Sequence, residues 1–162
     1  MGRDVEEFYG VFYPRLVTAL CSATRDRYEA EDAAQEAFAR LIRTRGLDHL
    51  TAPEAWLYTV GLNVVRSRWR SVKRRREKLR VLHEARGEPD HDPLLSIQSI
   101  DLQRALQALP DAHRDALILF YLLDQPIARI ADHYGVSVGT IKSRLSRGRQ
   151  LLAKQLQEVD LS

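Results

Sequence analysis

The sequence predicts an all-α fold of two small helical domains joined by a flexible linker. Apolar residues recur every three to four positions through nearly the whole chain, the spacing of one face of an α-helix. Glycine and proline are scarce, and where they gather, at Gly87, Pro89 and Pro93 in the stretch HEARGEPDHDPLLSIQS, the helical period lapses. Neither strand alternation nor an internal repeat interrupts the helical spacing. These signals place the first domain at 1–82, the linker at 83–100 and the second domain at 101–162.

Element by element, Phe8, Phe12, Leu16 and Ala19 define the buried stripe of a first helix. Ala34, Phe38, Leu41 and the stem of Arg45 define that of a second. Asp32, Gln35 and Glu36 fall on the opposite side of the second helix. They form an acidic face that suits a basic protein surface, a solvated face being the plainer alternative. Pro53, after Thr51, sits where a third helix can begin. That helix buries Trp56, Leu57, Val60, Val64 and Val65 and then turns intensely basic. Leu62, Val65, Trp69 and Val72 share one stripe, which predicts a core role for Trp69. Stacking on an exposed base is the other use of an indole in a basic run. Asn63 lies at the junction, and spacing alone favours a surface or cap asparagine there.

Beyond the linker, Leu102, Ala105, Leu106 and Leu109 restart the helical period, and Pro110-Asp111 ends one helix and opens the next. In IARIADHYGVSVGTIKSRLSRGRQLL, Ile127, Ile130, Ala131 and Tyr134 line one face of a short helix, and Gly135 supplies a turn with positive φ. Ser137 caps the next helix, whose Ile141, Leu145 and Leu152 point inward. Helix, short glycine turn and helix make a helix-turn-helix, with Lys142, Ser143, Arg144, Ser146, Arg147 and Arg149 outward. Cations and short hydroxyls on such a face suit phosphates and guanine edges in a major groove. Gly135-Val136-Ser137-Val138-Gly139 also fits the G-x-S-x-G nucleophile elbow. That elbow follows a strand, whereas the residues before Gly135 have helical spacing, so Ser137 reads as a cap.

Charge is segregated along the chain. Met1 to Glu36 holds eight acids against four arginines, whereas Arg66 to Arg80 holds nine bases against Glu77. Val81 to Asp101 is acidic again, and Lys142 to Lys154 has five bases and no acid. Two basic patches point to two contacts with a polyanion, and the acidic amino-terminal segment points to a different, basic partner. The lone Cys21 excludes an internal disulfide framework and reads as a small core residue. The five histidines are scattered without metal-ligand spacing, so neither catalytic residue, metal nor cofactor is expected. The longest apolar run, Ala116 to Leu123, is far short of the roughly 20 residues of a membrane span. Without a basic and then apolar amino terminus, the chain is expected to be cytoplasmic, with no membrane insertion.

Three stretches together resemble the bacterial sigma-70 superfamily, in its extracytoplasmic-function group of RNA polymerase sigma factors. YEAEDAAQEAFARLIR is similar to the group's D-x-x-Q-E-x-F polymerase-docking helix, and APEAWLYTVGLNVVRSRWRSVKRRR to its promoter-melting helix. LQALPDAHRDALILFYLLDQPIARIADHYGVSVGTIKSRLSRGRQLL carries the L-P-x-x-x-R and G-T-x-K-S-R signatures of its second conserved region. The resemblance implies a non-catalytic initiation subunit whose partners are core RNA polymerase and promoter DNA. Asp32, Gln35 and Glu36 would dock on the polymerase. Asn63, Arg66, Arg68, Arg70, Lys73 and Arg74 would hold the −10 element as single strand. Lys142, Ser143, Arg144, Ser146, Arg147 and Arg149 would read the −35 element as duplex. Members of the group are commonly held inactive by an anti-sigma protein wedged between the lobes. The chain departs from the group at Leu62 and Ser67, where Arg and Asp are frequent, and at Arg129, where Glu is frequent. The other reading is a conventional helix-turn-helix regulator of duplex operators, which has no use for the Asp32–Gln35–Glu36 face.

Overall fold

A computed structural model describes residues 4–44, 46–78 and 97–160. Every regular element among them is helical. The first lobe comprises α1 (Val5–Thr24), α2 (Arg27–Arg43), a short 3-10 turn (Leu47–His49) and α3 (Pro53–Lys78). Asp4 caps α1, its carboxylate accepting from the Glu6 amide at 3.0 Å, and Asp26 caps α2 by accepting from the Glu29 amide at 3.1 Å. Between these helices Arg25 turns the chain in the left-handed region, at φ 62°, its amide donating to the Cys21 carbonyl. Phe12, Leu16 and Leu20 of α1, Ala30, Ala33, Ala34, Ala37, Phe38 and Leu41 of α2, and Leu57, Leu62 and Val65 of α3 are buried together. The small residues on α2 let the helices approach closely. At Gly61 a side chain would stand 2.8 Å from the Leu20 Cδ1, which accounts for glycine there.

The second lobe comprises α4 (Ile97–Gln107), α5 (Asp111–Leu117), a π-helical turn (Ile118–Leu122), α6 (Ile127–Tyr134) and α7 (Val138–Asp160). Leu106, Leu109, Leu117, Ile118, Leu119, Leu123, Ile130, Ile141 and Leu145 form its interior. The π turn is closed by the Leu123 amide donating to the Ile118 carbonyl, five residues back. The expected linker falls mostly outside the described residues. Its last four positions, 97–100, already belong to α4, so the second lobe begins earlier than the spacing of Leu102 to Leu109 indicated. Arg45, assigned to the stripe of α2, lies outside the described residues.

The two lobes pack on one another rather than standing apart, with α1 against α4 and the π turn, and α3 against α6. Their interiors run together as one hydrophobic cluster, to which Cys21 packs part-buried. Polar contacts bridge the seam. The buried Tyr58 hydroxyl donates to Asp115 Oδ1 at 2.9 Å, and Thr59 Oγ1 lies 2.7 Å from His133 Nε2. Arg15 donates to the Leu122 carbonyl at 3.2 Å and pairs with Asp124. No helix among the described residues is long and apolar enough to cross a membrane.

Candidate docking and nucleic-acid interfaces

On α2, the buried alanines turn inward and bring Asp32 and Gln35 out to solvent, with Glu36 half-exposed beside them. The acidic face expected from spacing is therefore present, but it is partly neutralised within the chain. Glu36 Oε1 accepts from Arg40 Nε at 3.1 Å and from Arg43 Nη2 at 3.0 Å, and these bonds hold its carboxyl below the ordinary glutamate value. Asp32 Oδ2 lies 3.6 Å from Arg68 Nη1, an exposed pair of the kind that contributes little to stability.

The basic half of α3 runs beyond the bundle. Asn63, Arg68, Arg70, Lys73 and Arg74 are exposed, whereas Arg66 turns to the seam. Its Nη2 donates to Asp111 Oδ2 at 3.2 Å and lies 3.9 Å from Asp115 Oδ2. Trp69 is not a core residue. It is 44% exposed, and its indole N–H donates to Glu29 Oε2 at 2.6 Å. The stripe Leu62–Val65–Trp69 is continuous on α3, but α2 starts at Arg27, and Glu29 already stands in its first turn. From Trp69 onward the stripe leaves its partner helix behind. Trp56, by contrast, is part-buried against the core as expected.

Gly135 takes the left-handed conformation, φ 64° and ψ 36°, and its amide closes α6 on the Ala131 and Asp132 carbonyls. Ser137 Oγ accepts from the Thr140 amide at 3.1 Å, which is the capping role. On α7, Ile141 and Leu145 are buried and Lys142, Ser143, Ser146 and Arg147 share the exposed side. Two of the expected outward residues sit at its margins. The Arg144 guanidinium lies 5.8 Å from the Tyr134 ring centre, and Arg149 donates to the Tyr121 hydroxyl at 3.2 Å.

Sequence spacing missed the charged cluster at the seam. Asp115 is nearly enclosed by Tyr58, Arg114 and Arg66. Burial pushes its carboxyl up, and burial pushes the Tyr58 hydroxyl well above the usual phenol value. Tyr58 and Asp115 lie 57 residues apart, so no local pattern links them. The one available sign was a set of charged residues, Asp111, Arg114 and Asp115, directly before the eight-residue apolar run.

Residues 8–76 match the family model described as Sigma-70 region 2, and residues 99–152 match that of Sigma-70, region 4. The extracytoplasmic-function (ECF) RNA polymerase sigma factor SigW of Bacillus subtilis is 31% identical over 145 residues, covering 82% of this chain and 78% of that protein. The ECF RNA polymerase sigma factor SigM of the same organism is 30% identical over 154 residues, covering 91% and 92%. Among solved structures, the sigma factor RpoE from Bartonella quintana, co-crystallised with the anti-sigma factor NepR, superimposes with a TM-score of 0.72. It is 24% identical, and the match spans 94% of this chain and 96% of that one, a likeness of fold that includes both lobes.

Proposed function

The chain belongs to the extracytoplasmic-function sigma factors of bacterial RNA polymerase, and from that membership we propose how its residues divide the work of initiation. A sigma factor binds core polymerase and promoter DNA and directs where transcription starts. Such factors are initiation subunits rather than catalysts, and this chain is assigned the same non-enzymatic role. The first lobe, with 1–82 as its extent, docks on polymerase through Asp32, Gln35 and Glu36. It holds the −10 strand through Asn63, Arg66, Arg68, Arg70, Lys73 and Arg74. The second lobe, 101–162 together with the start of α4, reads the −35 duplex. Lys142, Ser143, Ser146 and Arg147 face the groove, and Arg144 and Arg149 reach phosphates from its margins. The observation that carries the reading is the joint occurrence, in one chain, of an acidic docking helix, a basic helix overhanging its bundle and a helix-turn-helix. A conventional regulator needs only the last of these. RpoE in the co-crystal is held by an anti-sigma factor, and a protein of that class is proposed as a further partner here. A cytoplasmic location accompanies this assignment, since polymerase and promoter are its partners.

The test is gel filtration of the full chain with bacterial core polymerase, followed by run-off transcription on candidate promoters. Co-elution at about one copy per core with promoter-dependent transcripts supports the assignment. A chain that stays apart as a dimer and binds duplex operators points to the regulator.

A further inference from the structure

We propose that the apolar cleft between α1 and the second lobe binds a single-chain amphiphile with a carboxylate head, of the medium-chain fatty-acid class. The cleft, of about 460 Å³, lies within the size range of small-ligand sites. Thr18 and Ser22 of α1 form one wall, and Leu102 and Leu106 of α4, Ile118 of the π turn and Leu152 of α7 form the others. The α1 wall is less polar than its residue types suggest. Thr18 Oγ1 donates to the Pro14 carbonyl and Ser22 Oγ to the Thr18 carbonyl, both at 3.0 Å, so neither hydroxyl proton is left for a ligand. Such a lining suits an alkyl chain. Two of the lining residues, Leu102 and Tyr121, are 41% and 53% exposed, and a bound chain removes this apolar surface from water. The exposed Arg149 also lines the cleft, and its guanidinium donates to the Tyr121 hydroxyl at 3.2 Å. Among the described residues Arg149 pairs with no carboxylate. A neutral phenol leaves the charge and the other N–H donors of the guanidinium free for a bidentate carboxylate. An apolar tail inside and an anionic head against Arg149 match this arrangement. The walls come from different lobes, so a ligand that fills the cleft binds the packed arrangement and not the parted one. On the sigma-factor reading, on which this consequence rests, occupancy holds the lobes together and disfavours engagement with core polymerase.

Decanoate is the probe, titrated calorimetrically into the full chain, with decanol and decyltrimethylammonium as neutral and cationic controls. Decanoate should bind at one site and raise the midpoint of thermal unfolding. Affinity should rise about fourfold for each methylene added from hexanoate to decanoate. Decanol and decyltrimethylammonium should bind about tenfold more weakly or worse, for want of a charged partner to Arg149. Arg149→Gln should bring decanoate down to the level of decanol. Leu102→Glu, a change at a half-exposed position, should weaken decanoate by repelling its head, with helicity by circular dichroism unchanged. Saturating decanoate should lower the fraction of the unaltered chain that co-elutes with core polymerase, and should leave that fraction unchanged in Leu102→Glu. No binding of decanoate, equal affinity for the three head groups, a lowered unfolding midpoint, or binding unchanged in both variants overturns the site. Binding that leaves co-elution unaffected overturns the lock on the lobes. Failure of the underlying sigma-factor reading looks different: the chain then does not co-elute with core polymerase even without decanoate, while head-group selectivity and its loss in Arg149→Gln persist.

Discussion

At the scale of single residues, the acidic face of α2, proposed above to dock on polymerase, is already paired inside the free chain. Glu36 is held by Arg40 and Arg43, and Asp32 stands against Arg68. These exposed pairs are weak and exchange readily for pairs with a partner's cations. Asp32→Lys with Glu36→Lys should lower affinity for core polymerase by about tenfold or more, since it presents like charge to a basic surface. Circular dichroism should show the helical fold intact, because neither side chain contributes to the core. Unchanged affinity removes the docking role from this face. His133 gives a second residue-scale expectation. Burial holds its imidazole below the ordinary 6.5, so the folded chain favours the neutral ring. A depressed histidine costs stability as pH falls, because the unfolded chain takes up the proton first, beginning near 6.5. Asp115, pushed up by burial, acts in the opposite sense but in a window that closes only toward its ordinary 3.8. Thermal unfolding at about pH 7.5 and about pH 6 should therefore show the chain losing stability on mild acidification, with His133→Gln removing much of the loss. A variant that keeps the full pH dependence assigns the titration to another group.

At the scale of elements, periodicity locates each helix and tertiary contact decides what its faces do. Pro53 opens α3, and Gly135 and Ser137 punctuate the helix-turn-helix, because these residue types act through the backbone at their own positions. The apolar faces of α1, α2 and α7 fall where the spacing put them. Trp69 departs because a stripe on one helix says nothing about where its partner helix begins. The π turn at Ile118–Leu122 is equally invisible in an apolar run, since its extra residue per turn is set by packing. On α7, Lys142 and Arg147 are the cations most clearly free to meet DNA. Lys142→Ala with Arg147→Ala should reduce −35-dependent initiation. If both touch phosphate, the slope of log affinity against log salt should fall by about 2. Initiation that remains equally dependent on the −35 sequence shows that another face reads it.

At the scale of the whole molecule, the packed arrangement and the assigned task differ in size. A globule of 162 residues is about 40 Å across. Elements about 25 base pairs apart are separated by roughly 85 Å at 3.4 Å per pair. The two lobes must therefore part for both elements to be held at once. Eighteen residues separate Lys78 from Ile97 and, fully extended, reach at most about 60 Å, which together with the lobes covers that span. Parting breaks the Tyr58–Asp115 bond and the Arg66–Asp111 pair, both of which cross the seam. Tyr58→Phe removes the hydroxyl that satisfies Asp115 and should cost the packed state about 1–3 kcal/mol. Fluorophores on α1 and α7 should then report a larger mean separation, and apparent affinity for core polymerase should rise. An unchanged separation places the restraint in the apolar seam instead.

The helical class, the order of the helices, the turn at Gly135, the acidic and basic faces, and the family are all legible in the amino-acid sequence. All of these arise from local periodicity, backbone preference and motif spacing, which act over a few residues. The packing of the lobes on one another, the turn of Arg66 to α5 while its neighbours face solvent, the burial of Asp115 under Tyr58 and the partial exposure of Trp69 arise from the folded arrangement alone. Those outcomes depend on contacts between residues 40 to 109 positions apart, where burial and charge pairing, rather than helical spacing, set which atoms meet.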